Sequence, residues 1–335
     1  MSNQTLQFIN KSIQKKDRYN IITFDTHERY QTQLAKTGHN FYVFNWDDGK
    51  KWDTSYAPVP ENHYTMNPNA VQTGIDYDFI LSQSKFGQFM VANNINSVFK
   101  LPLISLEHTL PIPSWPNEQL ETFRKQHGDI NVFISDHSVD KWNMNAPRTR
   151  VIHHSVDTAM FHPNQAGTDD KQPHVLSVVN DWINRDYCCN WQGYVRITNE
   201  GKEFTTKIVG KTEGLSEPAP SVAALAKEYA TAQVFLNTST ISPVPTALLE
   251  AMSCGCAVVT TATCMIPEII EHGVNGFMSN DEEELRGYCK QLLEDEELRN
   301  KMGTEARATI LSQFSEDKFI ENWNEIFDVA YGVIK

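Results

Sequence analysis

Short apolar runs alternate with helix-length segments along the whole chain, and this alternation is the feature that most limits the possible folds. The apolar runs are Tyr19–Phe24, Phe41–Phe44, Phe79–Leu81, Pro102–Leu106 and Val132–Ile134, followed by His174–Val179, Thr206–Val209, Val234–Leu236 and Ala257–Thr260. Strands that alternate with helices along a chain form parallel sheets with helices on both faces. The sequence therefore predicts an α/β protein.

The alternation is interrupted by a polar, turn-rich sequence, DTAMFHPNQAGTDDKQP, which begins at Asp157. We interpret residues 158–173 as a linker between an N-terminal domain, 1–157, and a C-terminal domain, 174–312. A helix within 313–335 is expected to pack back toward the N-terminal domain. Two doubly wound, Rossmann-like domains predict a cleft in which ligands bind at the carboxyl ends of the strands.

Charge and hydropathy exclude several classes of protein. The chain of 335 residues has 42 acidic and 29 basic side chains, and a net charge of −13 argues against holding nucleic acid by bulk charge. No apolar run approaches the roughly 18–20 residues that span a bilayer, and the start does not resemble a signal peptide. We expect a cytoplasmic protein. No GxGxxG motif follows the first strand and no GxxxxGK[ST] motif occurs, which disfavours a nicotinamide dehydrogenase and a P-loop phosphotransferase.

The metal-binding residue types lack the spacing of a metal site. Cys254 and Cys256 flank one glycine, but no second CxxC or His pair at zinc spacing accompanies them. Small thiols between an apolar helix and an apolar strand are commonly buried. Asp47 and Asp48 lie in a predicted loop, where solvation is the ordinary state of such side chains. We expect no metal.

The stretch Thr238–Asn280 has the features of a ligand site. A strand ends in a Ser/Thr-rich loop, Ser242 and Pro243 offer an N-cap and an N1 proline, and a helix is predicted over Thr246–Ser253. A helix N-terminus at the carboxyl end of a strand attracts anions. Glu250 lies about one turn inside this helix, and its carboxylate can accept two hydrogen bonds from a vicinal diol such as a ribose.

This stretch resembles a known signature. PTALLEAMSCGCAVVTT and IPEIIEHGVNGF are similar to the nucleotide-sugar motif of retaining glycosyltransferases with the GT-B fold, of the family 4 or group 1 type. VIHHSVDTAMFHP resembles the hinge motif of that family, and THERYQTQLAKTGHNFYVF resembles its first strand–loop–helix–strand unit. The resemblance implies two facing Rossmann-like domains, with a UDP- or GDP-linked sugar in the C-terminal domain and the acceptor mostly in the N-terminal domain. It implies no metal and no cofactor apart from this co-substrate.

The resemblance also implies roles for residues of the C-terminal domain. Glu250 corresponds to the carboxylate that binds the donor ribose, and Thr246, Ala247 and Leu248 are expected to lie against the diphosphate. The family usually has a second glutamate eight residues before the first, where this chain has Ser242. The identity of the donor sugar is therefore left open.

The basic pair that neutralises the diphosphate in this family is also altered. Asn180 stands where the family has arginine, and Arg185 stands for its lysine. An arginine is a suitable bidentate partner for phosphate. Lys211 is a second candidate for the same charge. The resemblance makes Arg185 a catalytic residue, because it would stabilise the charge that develops on the departing diphosphate.

In the N-terminal domain, His108 and Thr109 match a His-Thr pair of the family, whose imidazole lies near the donor sugar. His108 is therefore the second candidate catalytic residue. His27 and Glu28 occupy the place of the family's glycine-rich loop, where larger side chains either touch the ligands or narrow the cleft. They are not a zinc motif, since HExxH fails at Gln31.

Aromatic side chains are frequent in the N-terminal loops, and rings stack on sugars and bases. The same rings also pack a small domain, and the sequence does not separate the two roles. The candidates are Trp46, Trp52, Tyr56, Tyr64 and Trp115.

The sequence thus predicts transfer of a sugar, with retention, from a nucleoside-diphosphate sugar to an acceptor hydroxyl. The acceptor is a saccharide, a lipid-linked sugar or a modified nucleobase. Two other functions suit the same architecture: a nucleotide-sugar 2-epimerase or hydrolase, and a nucleotide-sugar-binding protein without catalysis, which the replacements at Ser242 and Asn180 favour. The oligomeric state stays open.

Overall fold

The chain divides into two compact units in a computed structural model that describes residues 16–46, 51–54, 57–144, 146–166 and 172–332. The N-terminal unit comprises Met1–His153 and Asp317–Lys335, and the C-terminal unit comprises His154–Glu316. Within the described residues, each unit is built on one sheet, of seven and five strands respectively. All pairs of named strands are parallel, which confirms the predicted α/β class with two Rossmann-like halves.

The N-terminal sheet has the strand order β3-β2-β1-β4-β5-β6-β7. Its strands are β1 (Asn20–Thr23), β2 (Asn40–Val43), β3 (His63–Thr65), β4 (Phe79–Ser82), β5 (Leu103–Glu107), β6 (Ile130–Phe133) and β7 (Thr149–Val151). Its helices are α1 (Glu28–Ala35), α2 (Gln88–Phe99), α3 (Asn117–Arg124) and α4 (Asp136–Trp142).

The strand order reverses direction at β1 and β4. Ile21 of β1 pairs with Phe41 of β2 on one side and with Phe79 of β4 on the other. In open parallel sheets the crevice at such a switch point, outside the carboxyl ends of the strands, is the usual place for ligands. The loops that follow β1 and β4 begin at this point.

The C-terminal sheet has the order β12-β11-β10-β8-β9, which places its switch point between β8 and β10. Its strands are β8 (Gln172–Val178), β9 (Thr206–Val209), β10 (Ala232–Asn237), β11 (Ala257–Thr260) and β12 (Phe277–Met278). Its helices are α5 (Asp186–Cys189), α6 (Trp191–Thr198), α7 (Val222–Thr231), α8 (Thr246–Ser253), α9 (Ile266–Ile269), α10 (Glu282–Glu294) and α11 (Glu296–Gln313). The last helix of the chain is α12 (Glu316–Tyr331).

Helix α8 spans the residues predicted from the sequence, but its start has a different cause. The N-cap is Pro245, without a side-chain cap, so the prediction of Ser242 as N-cap was wrong. A residue before proline is held out of helical geometry, and Val244 precedes Pro245. The helix therefore begins only after the second proline of Ser242-Pro243-Val244-Pro245.

A glycine-dependent turn ends α8. The Cys256 N–H donates to the Ala251 carbonyl at 3.1 Å and the Gly255 N–H donates to the Met252 carbonyl at 3.0 Å. Gly255 has φ +70°, so this end is a Schellman motif that favours glycine at its C′ position. Both neighbouring cysteines, Cys254 and Cys256, are buried as expected, and each residue is 3% exposed.

The described part of the segment predicted as a linker belongs to the C-terminal unit. Phe161 is buried there, 6.0 Å from the Tyr229 ring, and its carbonyl accepts a hydrogen bond from Ser253 Oγ at 2.6 Å. Residues 158–166 therefore pack on this unit and do not form a free connection.

Residues Asp317–Lys335 belong to the N-terminal unit, which places most of α12 there. Tyr19 Oη donates to Asp328 Oδ1 at 2.8 Å, and Trp323 Nε1 donates to Tyr30 Oη at 3.0 Å. The Phe327 ring stacks on Phe79 of β4 at 5.3 Å. The end of the chain thus completes the core of the unit that its beginning forms.

Two helical glycines have opposite environments, and we expect opposite effects when each is replaced by alanine. A Cβ at Gly303 would lie 2.2 Å from the Gly255 carbonyl oxygen, whereas a Cβ at Gly287 would meet nothing within 4 Å. Gly303→Ala should lower the free energy of unfolding by about 2–3 kcal/mol. Gly287→Ala should raise it by about 1 kcal/mol. Urea denaturation of both variants measures the difference, and equal effects would contradict the close packing of α11 on the end of α8.

Candidate functional site

In the C-terminal unit, the loops after β8 and β10 are joined at the switch point of the sheet. The Thr240 N–H donates to the Cys188 carbonyl at 2.8 Å, and Thr238 Oγ1 donates to the Cys189 carbonyl at 2.9 Å. Cys188 and Cys189 belong to α5, which begins directly after Arg185. Arg185 and the loop that leads to α8 are therefore parts of one hydrogen-bonded edge.

The first two residues of α8 are accessible to solvent, and the third is not. Thr246 is exposed and Ala247 is half-buried, whereas the Leu248 side chain lies in the core. The Thr246 N–H donates to the Val244 carbonyl, and the Leu248 N–H donates to the Pro245 carbonyl. Within the described residues, no backbone carbonyl accepts a hydrogen bond from the Ala247 N–H. Of the three residues predicted to face a diphosphate, Thr246 and Ala247 are thus accessible at this terminus, whereas the Leu248 side chain is buried. Ser242 is half-buried in the loop before it.

Glu250 is a buried carboxylate, with 7% of the residue exposed. Its Oε2 accepts a hydrogen bond from Tyr229 Oη at 3.0 Å. An ionised carboxylate can accept about four hydrogen bonds, and a hydroxyl group supplies one of them here. The geometry suits a carboxylate that binds hydroxyl groups.

Asn180 holds the backbone of Lys211. Its Oδ1 accepts a hydrogen bond from the Lys211 N–H at 2.9 Å, and the Asp181 N–H donates to the Lys211 carbonyl at 2.8 Å. Arg185 Nη1 donates to the Asn180 carbonyl at 3.4 Å. Asn180 therefore ties the loops after β8 and β9 together, and the exposed cationic side chains of Lys211 and Arg185 lie on these loops.

The loop after β9 also depends on a glycine. Gly210 has φ +125°, and a Cβ there would lie 2.1 Å from the Val179 carbonyl oxygen. The residue before Lys211 therefore has to be glycine for the strands to end side by side.

In the N-terminal unit, Glu107 fixes the turn that carries His108. Glu107 Oε1 accepts hydrogen bonds from the Thr109 N–H at 2.9 Å and from Thr109 Oγ1 at 2.6 Å. Its Oε2 accepts from the Lys85 N–H at 2.9 Å, which joins the ends of β5 and β4. With both neighbours of His108 bound in this way, the backbone that carries the imidazole is closely fixed.

Lys85 and Glu107 form a buried pair of charged residues, each 1% exposed. Burial lowers the pKa of Lys85 to about 8, and Glu107 opposes this by raising it. Burial raises the pKa of Glu107, while its hydrogen bonds with Thr109 and Lys85 lower it. Lys85 Nζ also donates to the Gln126 carbonyl. Perturbed pairs of this kind are frequent at functional sites.

The His108 ring lies against Tyr30 of α1, edge to face, with 4.4 Å between ring centroids. The exposed His27 ring lies 6.2 Å from it. The structure thus brings together His108 and His27, the two histidines that the sequence analysis selected in this unit.

Glu28 and Trp115 both contact other parts of the N-terminal unit. Glu28 is 6% exposed and its Oε1 accepts a hydrogen bond from the Asp53 N–H at 3.1 Å. The Trp115 ring stacks on Phe123 at 5.0 Å and lies 5.3 Å from Phe86. Glu28 therefore holds a loop, and Trp115 belongs to a cluster of rings.

Three further aromatic candidates have ring neighbours, although Tyr64 is exposed. Trp46 lies 5.7 Å from Phe24, Trp52 lies 4.7 Å from His63, and Tyr64 lies 5.2 Å from Tyr42. Tyr56, and the acidic pair Asp47 and Asp48, lie outside the described residues.

Sequence reasoning missed the polar network at the switch point of the N-terminal sheet. Gln83 is fully buried, and its Nε2 donates to Gln31 Oε1 at 2.7 Å and to Thr23 Oγ1 at 3.0 Å. Gln88 Nε2 donates to Thr26 Oγ1 at 2.6 Å. The available signal was the run Gln83-Ser84-Lys85 directly after the apolar strand β4. Tyr229 carried no comparable signal, because it lies in an ordinary helical sequence.

The described part of the chain contains neither a metal-binding cluster nor a membrane-spanning helix. No group of three or more His, Cys, Asp or Glu side chains there has the geometry to hold a metal ion. No helix among these residues combines the length and the apolar character needed to cross a membrane.

Comparison with known proteins identifies a domain type in the C-terminal unit. Residues 219–309, which include α7, α8 and Glu250, match the sequence model of the family "Glycosyl transferases group 1". N-acetyl-alpha-D-glucosaminyl L-malate synthase of Bacillus anthracis is 38% identical over 82 residues, which is 24% of this chain. The match spans 22% of that relative's length.

Solved structures show a similar fold over nearly the whole chain. HepE of Anabaena, in complex with UDP and glucose, has a TM-score of 0.73 and 14% identity, covering 92% of this chain and 98% of its own. Sucrose-phosphate synthase of Thermosynechococcus elongatus has a TM-score of 0.71 and 14% identity, with coverage of 95% and 100%. The lipopolysaccharide outer core galactosyltransferase WaaB has a TM-score of 0.65 and 13% identity, with coverage of 93% and 99%. At these identities the likeness concerns the fold, which these GT-B glycosyltransferases share.

The buried Lys85–Glu107 pair generates a prediction about stability. Lys85→Met leaves Glu107 buried without its cation, so the free energy of unfolding should fall by about 3–5 kcal/mol. Between pH 8 and pH 10.5 the unfolded chain holds the Lys85 proton more tightly than the folded chain, so stability rises with pH across this window. The Lys85→Met variant lacks this rise. The difference in the free energy of unfolding between the wild type and the variant should therefore widen as the pH is raised. Urea denaturation at several pH values measures the gap, with Lys141→Met, at an exposed position of α4, as control. A gap that narrows toward pH 10.5 would contradict this account.

Proposed function

We propose that this protein is a glycosyltransferase that moves a sugar from a nucleoside-diphosphate sugar to an acceptor hydroxyl, with retention of the anomeric configuration. One observation carries the proposal. Within the segment that matches group 1 glycosyltransferases, Glu250 is buried one turn behind the exposed N-terminus of α8, at the switch point of a parallel sheet. This combination can bind a ribose diol and a diphosphate together.

The proposed donor is a UDP-sugar, with a GDP-sugar as the alternative. HepE has been solved with UDP, with UDP and glucose, and with UDP-glucose. In this chain, Glu250 would accept hydrogen bonds from the ribose, and the Ala247 N–H with the Thr246 hydroxyl would bind the diphosphate. Ser242, in place of the family's glutamate, would leave the sugar with a neutral hydrogen-bonding partner.

In the proposed reaction the bond between the anomeric carbon and the β-phosphate oxygen breaks, and a bond from that carbon to the acceptor oxygen forms. The acceptor proton passes to the departing diphosphate. The protein's main contribution would be to stabilise the negative charge on that diphosphate, through Arg185, Lys211 and the positive end of α8. No metal is needed in this scheme, because these groups supply the positive charge.

His108 is the proposed catalytic residue of the N-terminal unit. The Glu107–Thr109 clamp and the Tyr30 ring fix its position, and an imidazole held in this way can donate a hydrogen bond to a hydroxyl group. Its place at the carboxyl end of β5 is the edge of the sheet where ligands bind in this class of fold. The acceptor would be a saccharide, a lipid-linked sugar or a modified nucleobase.

Nucleotide binding tests the donor assignment. Glu250→Gln keeps the size of the side chain and removes its charge, so affinity for UDP should fall about 10- to 100-fold, as expected when charge-assisted hydrogen bonds are lost. Isothermal titration calorimetry with UDP and GDP measures this, with Glu297→Gln, an exposed residue of α11, as the control. Unchanged affinity in Glu250→Gln, or a wild-type protein that binds neither nucleotide, would overturn the assignment.

Turnover tests the role of Arg185. Arg185→Ala should lower kcat about 10- to 100-fold, the scale that follows from deleting one group that stabilises developing charge. The matched control is Arg196→Ala, on α6 of the same unit, where the guanidinium is exposed and paired with Glu282. The assay follows release of UDP with and without acceptor. A fully active Arg185→Ala enzyme would transfer the role to Lys211, and release of free sugar without acceptor dependence would indicate a hydrolase.

A further inference from the structure

We propose that Tyr229 is a positioning residue for the donor site: its hydroxyl group holds the Glu250 carboxylate in the orientation that binds the ribose. This inference rests on the proposed function, since it assigns a partner to the residue that would bind the donor. Tyr229 itself would not touch the nucleotide. It would act through Glu250.

The contact joins two neighbouring helices. Tyr229 lies on α7 and Glu250 on α8, and Tyr229 Oη donates to Glu250 Oε2 at 3.0 Å. Both residues belong to the segment that matches the group 1 family. The hydrogen bond therefore couples the carboxylate to a second helix.

The Tyr229 ring is firmly held. It is fully buried, and the rings of Phe161 and Phe235 pack against it edge to face at 6.0 and 5.7 Å. The start of α7 is capped by Ser221, whose Oγ accepts from the Ala224 N–H at 3.1 Å. Because the ring is held in this way, its hydroxyl oxygen has one position. The hydrogen bond then fixes where Glu250 Oε2 lies.

A glutamate has three side-chain torsions, and ordering them costs conformational entropy when a ligand binds. The hydrogen bond from Tyr229 orders the Glu250 torsions before the ligand arrives. Ligand binding therefore does not lose this conformational entropy. The hydrogen bond also gives one oxygen of a buried carboxylate a hydrogen-bonding partner. Two hydroxyl groups of a ribose can then meet a carboxylate that is already in place.

Two ligands distinguish a positioning role of Tyr229 from a role in folding: UDP, and a nucleotide that lacks the ribose hydroxyl groups. Tyr229→Phe removes only the hydroxyl group, so affinity for UDP should fall about fivefold to twentyfold, while affinity for 2′,3′-dideoxy-UDP stays within about twofold of wild type. Calorimetry with both nucleotides measures this. A general loss of structure would weaken both ligands alike, because the diphosphate contacts are common to them.

Tyr194→Phe is the matched control, since Tyr194 is another buried tyrosine of the same unit, on α6. It should leave affinity for both nucleotides unchanged. Equal losses for UDP and for the dideoxy nucleotide in Tyr229→Phe, or no loss for either, would overturn the inference.

Glu250→Gln distinguishes this inference from the proposed function. If Glu250→Gln retains full affinity for UDP, the donor assignment fails and the inference fails with it. If Glu250→Gln weakens UDP binding and Tyr229→Phe does not, only the role of Tyr229 is overturned. The double variant should bind UDP no more weakly than Glu250→Gln alone, because the two side chains act as a unit. Additive losses would count against the inference.

Discussion

The parallel pairing of β10 with β8 is the constraint on which the proposed donor site depends. Because both strands run in the same direction, their carboxyl ends meet at one edge, and the connecting loops have to leave from the same place. The hydrogen bonds from the β10 loop to α5 follow from this arrangement. Two prolines then set the first residue of α8, and Gly255 sets its end. The strand pairing, the loop hydrogen bonds and the two ends of α8 together position Glu250. A shift of one residue in the helix would turn its carboxylate by about 100°.

Each unit contains a buried glutamate whose oxygens are bound by hydroxyl groups or backbone N–H groups. In the C-terminal unit one such partner is Tyr229, and in the N-terminal unit the partners include Thr109 and the Lys85 N–H. A buried carboxylate is tolerated when hydrogen bonds replace its lost solvation. The fixed orientation that results is useful to a binding site, because a carboxylate that is already ordered loses little entropy when a ligand arrives.

Most of the strands and α8 could be predicted from the sequence, and three short edge strands could not. The strands Thr206–Val209 and Ala257–Thr260 and the helix Thr246–Ser253 have the predicted bounds, because apolar patterns between turn residues are local signals of such elements. The strands that were missed, β3, β7 and β12, each lie at the edge of a sheet and have only two or three residues. Such strands are covered on fewer sides and do not need a fully apolar sequence.

The sequence by itself determined the two-fold α/β alternation, the helix that carries Glu250, and the motif that matches group 1 glycosyltransferases, because each depends on residues that are close together in the chain. Only the tertiary structure decided which side chains those residues would meet. Tyr229 lies on a different helix from Glu250, and Asn180 reaches Lys211 only because β8 and β9 end side by side. A backbone N–H meets the Glu28 carboxylate and a set of rings meets Trp115, and the sequence indicated neither contact. Periodicity along a chain reports which face of an element is buried, and it contains no information about the partner that buries it.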